Sequence, residues 1–241
     1  MKSYAKKFWG FFMKVSELSI TYQDKTLVDI NFDITTSLAL VGQSGSGKSL
    51  SIKALLNMLP GEMKRVLHVT SDFRLIAGKT IGFVPQNPFT ALSPLTKIKD
   101  QLFVPKDRIN ELFKQVNLDI SLIHRYPPEL SGGQLQRIII AIALSSNPKL
   151  LLLDEPTTAL DPKTRVTIIN LLKELQGRLD FKILFVTHDI GSAKLLCDEI
   201  CVIKNGKVVE FGKMADVLQN PKNAYTKTLI EANFLNRKYR E

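Results

Sequence analysis

The stretch GQSGSGKS, Gly42 to Ser49, decides the fold class of this chain. It matches the phosphate-binding pattern G-x-x-x-x-G-K-[ST] in full, after an apolar run that predicts a strand and before spacing that predicts a helix. Glycines leave backbone N–H groups free to surround phosphates, the lysine adds a positive charge, and the helix N-terminus adds its positive end. The predicted phosphate-binding residues are Gly42, Gln43, Ser44, Gly45, Ser46, Gly47, Lys48, Ser49 and Leu50.

An acidic pair supplies the second half of a nucleotide site. The buried-strand pattern KLLLLD ends in Asp154, and Glu155 follows directly. Because ligands of open α/β sheets bind beyond the carboxyl ends of the strands, Asp154 is placed to hold Mg²⁺, directly or through water. The Ser49 hydroxyl is a second oxygen ligand for the same ion. Glu155 is placed to polarise an attacking water as a general base.

Two further polar residues follow predicted strands. Gln86 comes after TIGFVP and offers an amide oxygen to the metal or to water. His188 ends FKILFVTH, and since that strand belongs to the same predicted sheet, its ring is expected to meet the terminal phosphate. The other two histidines, His68 and His124, have no predicted partners and are interpreted as structural.

Strand and helix patterns alternate along the chain, which predicts a parallel sheet covered by helices on both faces. LSITY and LVDINFDI alternate apolar and polar residues, which favours half-buried antiparallel strands; residues 62–84 favour further short strands, of which TIGFV is the clearest. A helix over KSLSIKALLNML follows the phosphate loop. Residues 87–146 are mostly helical, over LTKIKDQLF, DRINELFKQV and GGQLQRIIIAIAL.

Composition narrows the function classes. The chain has 241 residues, a formal net charge of +10 and two cysteines. The positive charge is compatible with nucleic acid, an anionic membrane surface or phosphate ligands, but the lysines are scattered rather than clustered. Cys197 and Cys201 are too few for a disulfide framework and lack partners for a metal site, so we expect two buried apolar side chains.

In the first residues, MKSYAKKFWGFFMKV, lysines are followed by Phe8, Trp9, Phe11 and Phe12. No apolar run reaches the length of a membrane span, and this one is too short for a signal peptide. We expect residues 1–12 to be an extension outside the fold, with Met13 the natural start and residues 13–241 the folded domain. Lying on a membrane surface is the alternative.

The stretch PELSGGQLQRIII, Pro128 to Ile140, predicts a second anion site, since a serine can cap a helix start whose glycines expose N–H groups. Together with the phosphate loop, Gln86, LLLLDEP, ALD and His188, it resembles the nucleotide-binding subunits of ATP-binding-cassette (ABC) transporters over about residues 15–211. The resemblance implies an α/β fold: a P-loop NTPase core with a parallel sheet, an antiparallel β subdomain and a helical subdomain, about 87–146, that carries LSGGQ.

The resemblance also implies how the parts work. LSGGQ of one subunit binds the γ-phosphate of ATP held by the phosphate loop of a second subunit, through Ser131, Gly132, Gly133 and Gln134. Tyr22 falls where the family stacks an aromatic ring on adenine, Asp161 of ALD links the two sites, and Gln86 begins the segment that senses the membrane partner. ATP and Mg²⁺ are the implied cofactors.

The implied partners are integral membrane permease subunits, a second ABC ATPase subunit, which we expect to be a paralogous chain rather than a copy, and an extracytoplasmic substrate-binding protein. We expect no nucleic acid among the partners. We expect the subunit to lie peripherally on the cytoplasmic face of the bacterial inner membrane.

QNPFTALSPL (86–95) and NPKNAYTKTLI (220–230) resemble the peptide and nickel importer branch. Leu50 and Leu135 favour nickel, or a related metal chelate, over peptide within it. Residues 62–84 are short for the family's antiparallel subdomain, so that subdomain is expected to be trimmed.

Two other function classes remain. A soluble ABC-type ATPase acting on nucleic acid would suit the positive charge, but this chain has no long coiled coil, zinc module or second cassette. A plain nucleotide kinase explains the phosphate loop and leaves LSGGQ and ALD unexplained.

Overall fold

The computed structural model describes residues 12–238, with side chains for residues 12–233. The strands are β1 (Met13–Tyr22), β2 (Lys25–Ile34), β3 (Ser37–Val41), β4 (Lys64–Ser71), β5 (Ile81–Val84), β6 (Leu150–Asp154), β7 (Lys182–Thr187), β8 (Glu199–Lys204) and β9 (Lys207–Lys213). The helices are α1 (Lys48–Leu55), α2 (Lys106–Gln115), α3 (Gly132–Leu144), α4 (Pro162–Leu179), α5 (Ile190–Leu196), α6 (Met214–Gln219) and α7 (Ala224–Lys238). All these strands join one sheet, in the order β4-β1-β2-β9-β8-β3-β7-β6-β5.

The centre of the sheet is parallel. β3 lies between β7 and β8, and β6 lies between β7 and β5, all in parallel register. β3 and β7 are buried along their whole length, which explains their continuous apolar sequence. The α/β fold with a parallel core is therefore confirmed, and the carboxyl ends of β3, β5, β6 and β7 meet at one edge.

The antiparallel part of the sheet consists of β1, which pairs with β2 on one side and β4 on the other, and of the pair β8 and β9. The predicted alternation in β2 is confirmed, since Val28, Ile30, Phe32 and Ile34 are all buried. Residues 62–84 differ from the expectation of several short strands in one subdomain. They hold one eight-residue antiparallel strand, β4, while TIGFV forms β5 of the parallel core.

Two helices, α2 and α3, lie between β5 and β6, and we retain 87–146 as the proposed bounds of the helical subdomain. The helix predicted over LTKIKDQLF is wrong, because that segment contains only a 3₁₀ turn at Ile98–Gln101. The Gln101 side chain accepts from Ser93 N–H and donates to the carbonyls of Ser93 and Thr96, which stabilises an irregular loop instead. Pro94 and Pro105 flank it.

The helix after the phosphate loop ends four residues earlier than KSLSIKALLNML predicts. α1 stops at Leu55, and Asn57 takes a left-handed backbone with φ of 58°. Asparagine tolerates that conformation better than other residues with a side chain, so it ends the helix before Pro60 is reached.

The sheet separates two hydrophobic clusters, one against α3, α4 and α5 and the other between α1 and the antiparallel strands. Gly82 of β5 sets the position of α3, because a Cβ there would lie 2.3 Å from the Ala143 carbonyl oxygen. Close approach of α3 to the sheet in turn fixes where its N-terminus, the LSGGQ stretch, can lie.

The two cysteines are buried, as expected, and burial raises the pKa of the Cys201 thiol to about 12. Residues 1–11 lie outside the described part of the chain, so the prediction of an N-terminal extension stays a prediction. Over residues 12–238, none of the helices combines the length and hydrophobicity that crossing a membrane requires.

Candidate functional site

A cavity of about 690 Å³ lies where the loop between β3 and α1 meets the ends of β5, β6 and β7. Of the nine residues predicted from Gly42 to Leu50, all but Ser46 line it. Gln86, Glu155 and His188 line the same cavity, so residues from four segments of the chain converge there as predicted. Ser46 differs because its side chain is buried under the loop.

The phosphate loop takes a shape that only glycine permits at two positions. Gly45 and Gly47 have φ of 79° and 103°, in the region that disfavours a side chain. A Cβ on Gly47 would also lie 2.6 Å from Val28 Cγ2, at the start of β2. The loop can therefore curve so that its backbone N–H groups surround an anion, apart from those of Gln43 and Ser46, which donate to Tyr225 and to Gln43 O.

Lys48 is held inside the loop. Its side chain is 6% exposed, and Nζ donates to the carbonyls of Gly42 at 2.7 Å and Gln43 at 2.9 Å. Burial lowers the pKa of Lys48, and the nearby carboxylates of Glu155 and Asp154 oppose that shift. A buried ammonium group with only carbonyl partners gains from a phosphate ligand, because charge-assisted hydrogen bonds are the stronger kind.

Ser49 and Asp154 form an oxygen-donor pair. Ser49 Oγ donates to Asp154 Oδ1 at 3.1 Å. Burial raises the pKa of Asp154, and the Ser49 hydrogen bond and the Lys48 charge oppose that rise. A hydroxyl and a partly buried carboxylate fit Mg²⁺, which takes few protein ligands and completes its shell with water and phosphate oxygens. No cluster of three or more His, Cys, Asp and Glu side chains suited to a metal occurs in residues 12–238.

Glu155 is surrounded by three polar side chains. Its Oε2 atom lies 2.9 Å from His188 Nδ1, accepts from Thr158 Oγ1 at 3.1 Å, and lies 3.5 Å from Gln86 Nε2. The Glu155 backbone has φ of 46°, and its N–H donates to Val186 O of β7 at 2.9 Å. A left-handed glutamate costs free energy, and such residues persist where the surroundings fix them at functional sites. His188 thus contacts the carboxylate, and its contact with the terminal phosphate stays a prediction.

The LSGGQ stretch forms the N-terminus of α3. Ser131 Oγ accepts from Gln134 N at 3.2 Å, and Gln134 Oε1 accepts from Ser131 N at 3.0 Å, which is a complete capping box. A Cβ on Gly133 would lie 2.8 Å from Thr164 Cγ2 of α4, so this position needs glycine. Asp161 caps α4 next to it, and hydrogen bonds from Thr164 hold the pKa of Asp161 below its ordinary value.

The LSGGQ stretch and Tyr22, the residue expected to stack on adenine, both lie outside the phosphate cavity. Neither Ser131–Gln134 nor Asp161 lines it. Tyr22 lines a separate cavity of about 350 Å³ with Gln23, Asp24, Glu62 and Lys64. Within residues 12–238, the two elements that the sequence predicts to bind anions therefore do not share a cavity.

Several residues of this cavity were not predicted. Thr158 contacts Glu155, and Leu229, Ala232 and Asn233 of α7 also line the cavity. Thr158 lies directly before ALD in the sequence, and that position was the signal that could have identified it. Leu229 belongs to NPKNAYTKTLI, which was used only to place the importer branch, while Ala232 and Asn233 follow it without a motif because their place depends on how the last helix returns to the sheet edge.

Comparisons with known proteins agree with this geometry. The profile of the family described as ABC transporter matches residues 27–158. The oligopeptide transport ATP-binding protein OppD of Bacillus subtilis (strain 168) is 34% identical over 252 residues, which span 90% of this chain and 70% of OppD. The structure of cbiO1 from Clostridium perfringens, part of the ABC transporter complex cbiONQ, has a TM-score of 0.75 and 29% identity, covering 88% of this chain and 92% of cbiO1.

A second solved structure is the ATP-binding cassette MJ0796, described as dimeric, in a post-hydrolysis state and bound to ADP and Pi. It has a TM-score of 0.69 and 28% identity, covering 84% of this chain and 98% of MJ0796.

Proposed function

The chain belongs to the ABC transporter family and is an ATPase whose hydrolysis is coupled to transport, and we propose that it energises an importer of peptides through separate permease subunits. One observation carries this proposal. The phosphate loop, Gln86, Glu155 and His188 converge on one cavity, and Asp154 is bound to Ser49 of its lining, while the Ser131–Gln134 stretch of the same chain lies outside it.

The residues in and beside the cavity have different roles in binding and hydrolysing ATP. The loop from Gly42 to Leu50 holds the phosphates through its backbone N–H groups, with Lys48 as the positive charge. Ser49 and Asp154, with Gln86, hold Mg²⁺, which neutralises phosphate charge when it is bound. Glu155 orients and deprotonates the attacking water, and His188 holds its carboxylate in place.

We propose that a second cassette supplies the missing side of this site. Ser131, Gly132 and Gly133 form a capped helix N-terminus with free backbone N–H groups, which is a site for an anion. Because this end does not reach the chain's own cavity, it is placed to cap ATP in a neighbour, with Asp161 beside the contact. The dimeric state described for MJ0796 supports this arrangement. We expect the neighbour to be a paralogous chain, and Tyr22 to stack on adenine.

The surface between β5 and α2 suits a membrane partner. Leu95 is 88% exposed and Phe103 94% exposed, on the loop segment that the Gln101 side chain holds together. Large apolar side chains this exposed are typical of interaction sites. We propose that the permease subunits dock here on the cytoplasmic face of the bacterial inner membrane, next to Gln86, with an extracytoplasmic binding protein delivering the substrate.

Peptide is favoured over nickel as the transported substrate because OppD, an oligopeptide transport protein, is 34% identical to this chain over most of its length. The sequence variants Leu50 and Leu135 favoured nickel instead. Leu135 is fully buried in the core, where a leucine is explained by packing alone. A nickel chelate therefore remains the second candidate.

Reconstitution tests this proposal. The chain is co-purified with its integral membrane subunits, placed in vesicles with the matching binding protein, and assayed for ATP hydrolysis with oligopeptides or Ni²⁺. We expect oligopeptides to stimulate hydrolysis and Ni²⁺ to leave it unchanged. Stimulation by Ni²⁺ alone would favour the second candidate. Salt-sensitive co-purification of nucleic acid without membrane subunits would instead support a soluble nucleic-acid ATPase.

A further inference from the structure

Helix α7 contacts the phosphate loop directly. Tyr225, in its first turn, accepts a hydrogen bond through its phenol oxygen from the Gln43 backbone N–H at 3.1 Å. Leu229 and Asn233, one and two turns further along, line the cavity itself. The C-terminal helix is thus part of the wall of the nucleotide site.

Other contacts fix the position of Tyr225 and of the turn that carries it. Its backbone N–H donates to Asn223 Oδ1 at 2.9 Å, and the N–H groups of Lys222 and Asn223 donate to the Glu210 carboxylate of β9 at 2.8 and 3.1 Å. The Lys204 amine lies 4.8 Å from the centre of the Tyr225 ring. A side chain fixed by β8, β9 and its own turn can set the position of the loop residue that it binds.

The peptide between Gly42 and Gln43 (the Gln43 peptide) connects Tyr225 to Lys48. Its N–H donates to the Tyr225 phenol oxygen, and its carbonyl, Gly42 O, accepts from Lys48 Nζ at 2.7 Å. The next carbonyl, Gln43 O, accepts from Lys48 Nζ at 2.9 Å and from Ser46 N at 3.2 Å. A shift of this peptide would therefore move the acceptors that hold the lysine ammonium group.

A second hydrogen bond also holds the phosphate loop. Gly206, in the turn between β8 and β9, donates its N–H to Ser46 O at 3.1 Å. That contact uses only backbone, whereas the contact to Gln43 depends on one side chain. Removing the Tyr225 hydroxyl therefore removes the hydrogen bond to Gln43 and leaves the one from Gly206 to Ser46.

We propose that Tyr225 is a positioning residue of the ATP site, which fixes the Gln43 peptide and through it the Lys48 amine before ATP binds. This inference rests on the proposed role of the phosphate loop. Preorganised groups bind more tightly because less ordering remains to be done on binding. The loss of the hydroxyl should therefore weaken ATP binding and leave the chemical step nearly unchanged.

The test compares Tyr225→Phe with Tyr126→Phe. Both tyrosines lie under a lysine amine, at 4.8 Å from Lys204 and 5.6 Å from Lys97, but only Tyr225 contacts the phosphate loop. We expect Tyr225→Phe to raise the KM and the Kd for ATP by about 2- to 10-fold, with kcat at saturating ATP and the thermal unfolding midpoint close to wild type. Tyr126→Phe should change neither constant.

Unchanged ATP affinity in Tyr225→Phe would overturn the inference, as would a loss of kcat with KM preserved, or a loss of affinity accounted for by partial unfolding. Lys48→Ala separates this inference from the proposed function. If Lys48→Ala bound a fluorescent ATP analogue as well as wild type, the phosphate-loop assignment itself would fail, whatever Tyr225 does.

Discussion

Nδ1 of His188 lies 2.9 Å from Oε2 of Glu155, so two residues 33 positions apart in sequence meet at the ends of β7 and β6. The Glu155 backbone is tied to the same strand by its N–H bond to Val186 O. Carboxylate and imidazole are therefore positioned by neighbouring parallel strands rather than by a flexible loop. This pair is the centre of the hydrolytic site that we propose.

Replacement of the proposed base should separate binding from turnover. We expect Glu155→Gln to lower kcat for ATP hydrolysis by at least about 100-fold while the Kd for ATP stays within about 3-fold, since a neutral amide keeps the shape but takes no proton. Single-turnover experiments measure the rate of hydrolysis, and equilibrium binding measures the Kd for ATP. Glu174→Gln, at an exposed pair with Arg178 on α4, is the matched control and should behave as wild type. Normal turnover by Glu155→Gln would mean that another group is the base.

His188→Ala should give a smaller defect than Glu155→Gln. The histidine acts by holding the carboxylate, so we expect kcat to fall by about 10- to 100-fold with ATP binding preserved. The double variant should then be no worse than Glu155→Gln alone, because the two residues act as a unit. Additive losses in the double variant would show that His188 acts on the phosphate independently.

Two helical glycines should respond in opposite ways to alanine. A Cβ on Gly133 would lie 2.8 Å from Thr164 Cγ2, whereas Gly177 of α4 has no atom within 4 Å of such a Cβ. We expect Gly133→Ala to lower the free energy of unfolding by about 1 kcal/mol or more and to reduce ATPase turnover. Gly177→Ala should raise the unfolding free energy by about 0.5–1 kcal/mol and keep turnover. Chemical denaturation gives both values, and equal stability of the two variants would refute the close contact.

We expect the Asp154 carboxylate to lower the stability of the folded chain although hydrolysis requires it. Burial raises its pKa, so the folded chain binds this proton at a higher pH than the unfolded chain. Ionised Asp154 therefore lowers stability above that raised pKa, and stability is regained as the pH falls through it. We expect Asp154→Asn to raise the unfolding midpoint at neutral pH by about 1–4 °C without Mg²⁺, and to lower hydrolysis by at least about 100-fold.

The pH dependence provides the control for that variant. The difference in midpoint between wild type and Asp154→Asn should shrink as the pH falls through the raised pKa of the carboxyl group, because wild type then becomes neutral at this position. A variant that is less stable than wild type at neutral pH would contradict the assigned cost of burial.

The parts of this molecule that follow from local sequence were predictable. The phosphate loop, Asp154 after its buried strand and the capped start of α3 each carry their own pattern of glycines, apolar runs or capping residues. Strand order then brings Gln86, Glu155 and His188 together, because parallel strands present their carboxyl ends at one edge.

What the sequence did not predict depends on side-chain and backbone contacts that no residue pattern indicates. LTKIKDQLF has helical spacing, yet the Gln101 side chain binds the Ser93 and Thr96 backbone and stabilises a loop. Tyr225 is 182 positions from Gln43, and no spacing rule links them. The left-handed backbone of Glu155 likewise results from its bond to β7 and is invisible in the residue type.

The central claim is that each ATP site is completed by the signature stretch of another cassette. The most direct measurement uses pairs that this chain forms with itself in the absence of the paralogous chain, at concentrations where sedimentation shows that such pairs form. It compares ATP turnover by Lys48→Ala and Ser131→Arg, each alone and then mixed at equal concentration. Each variant alone should be nearly inactive, and the mixture should recover turnover, because a mixed pair contains one site with an intact loop and an intact signature. Wild-type turnover by Ser131→Arg alone, or no recovery in a mixture that forms pairs, would contradict the account.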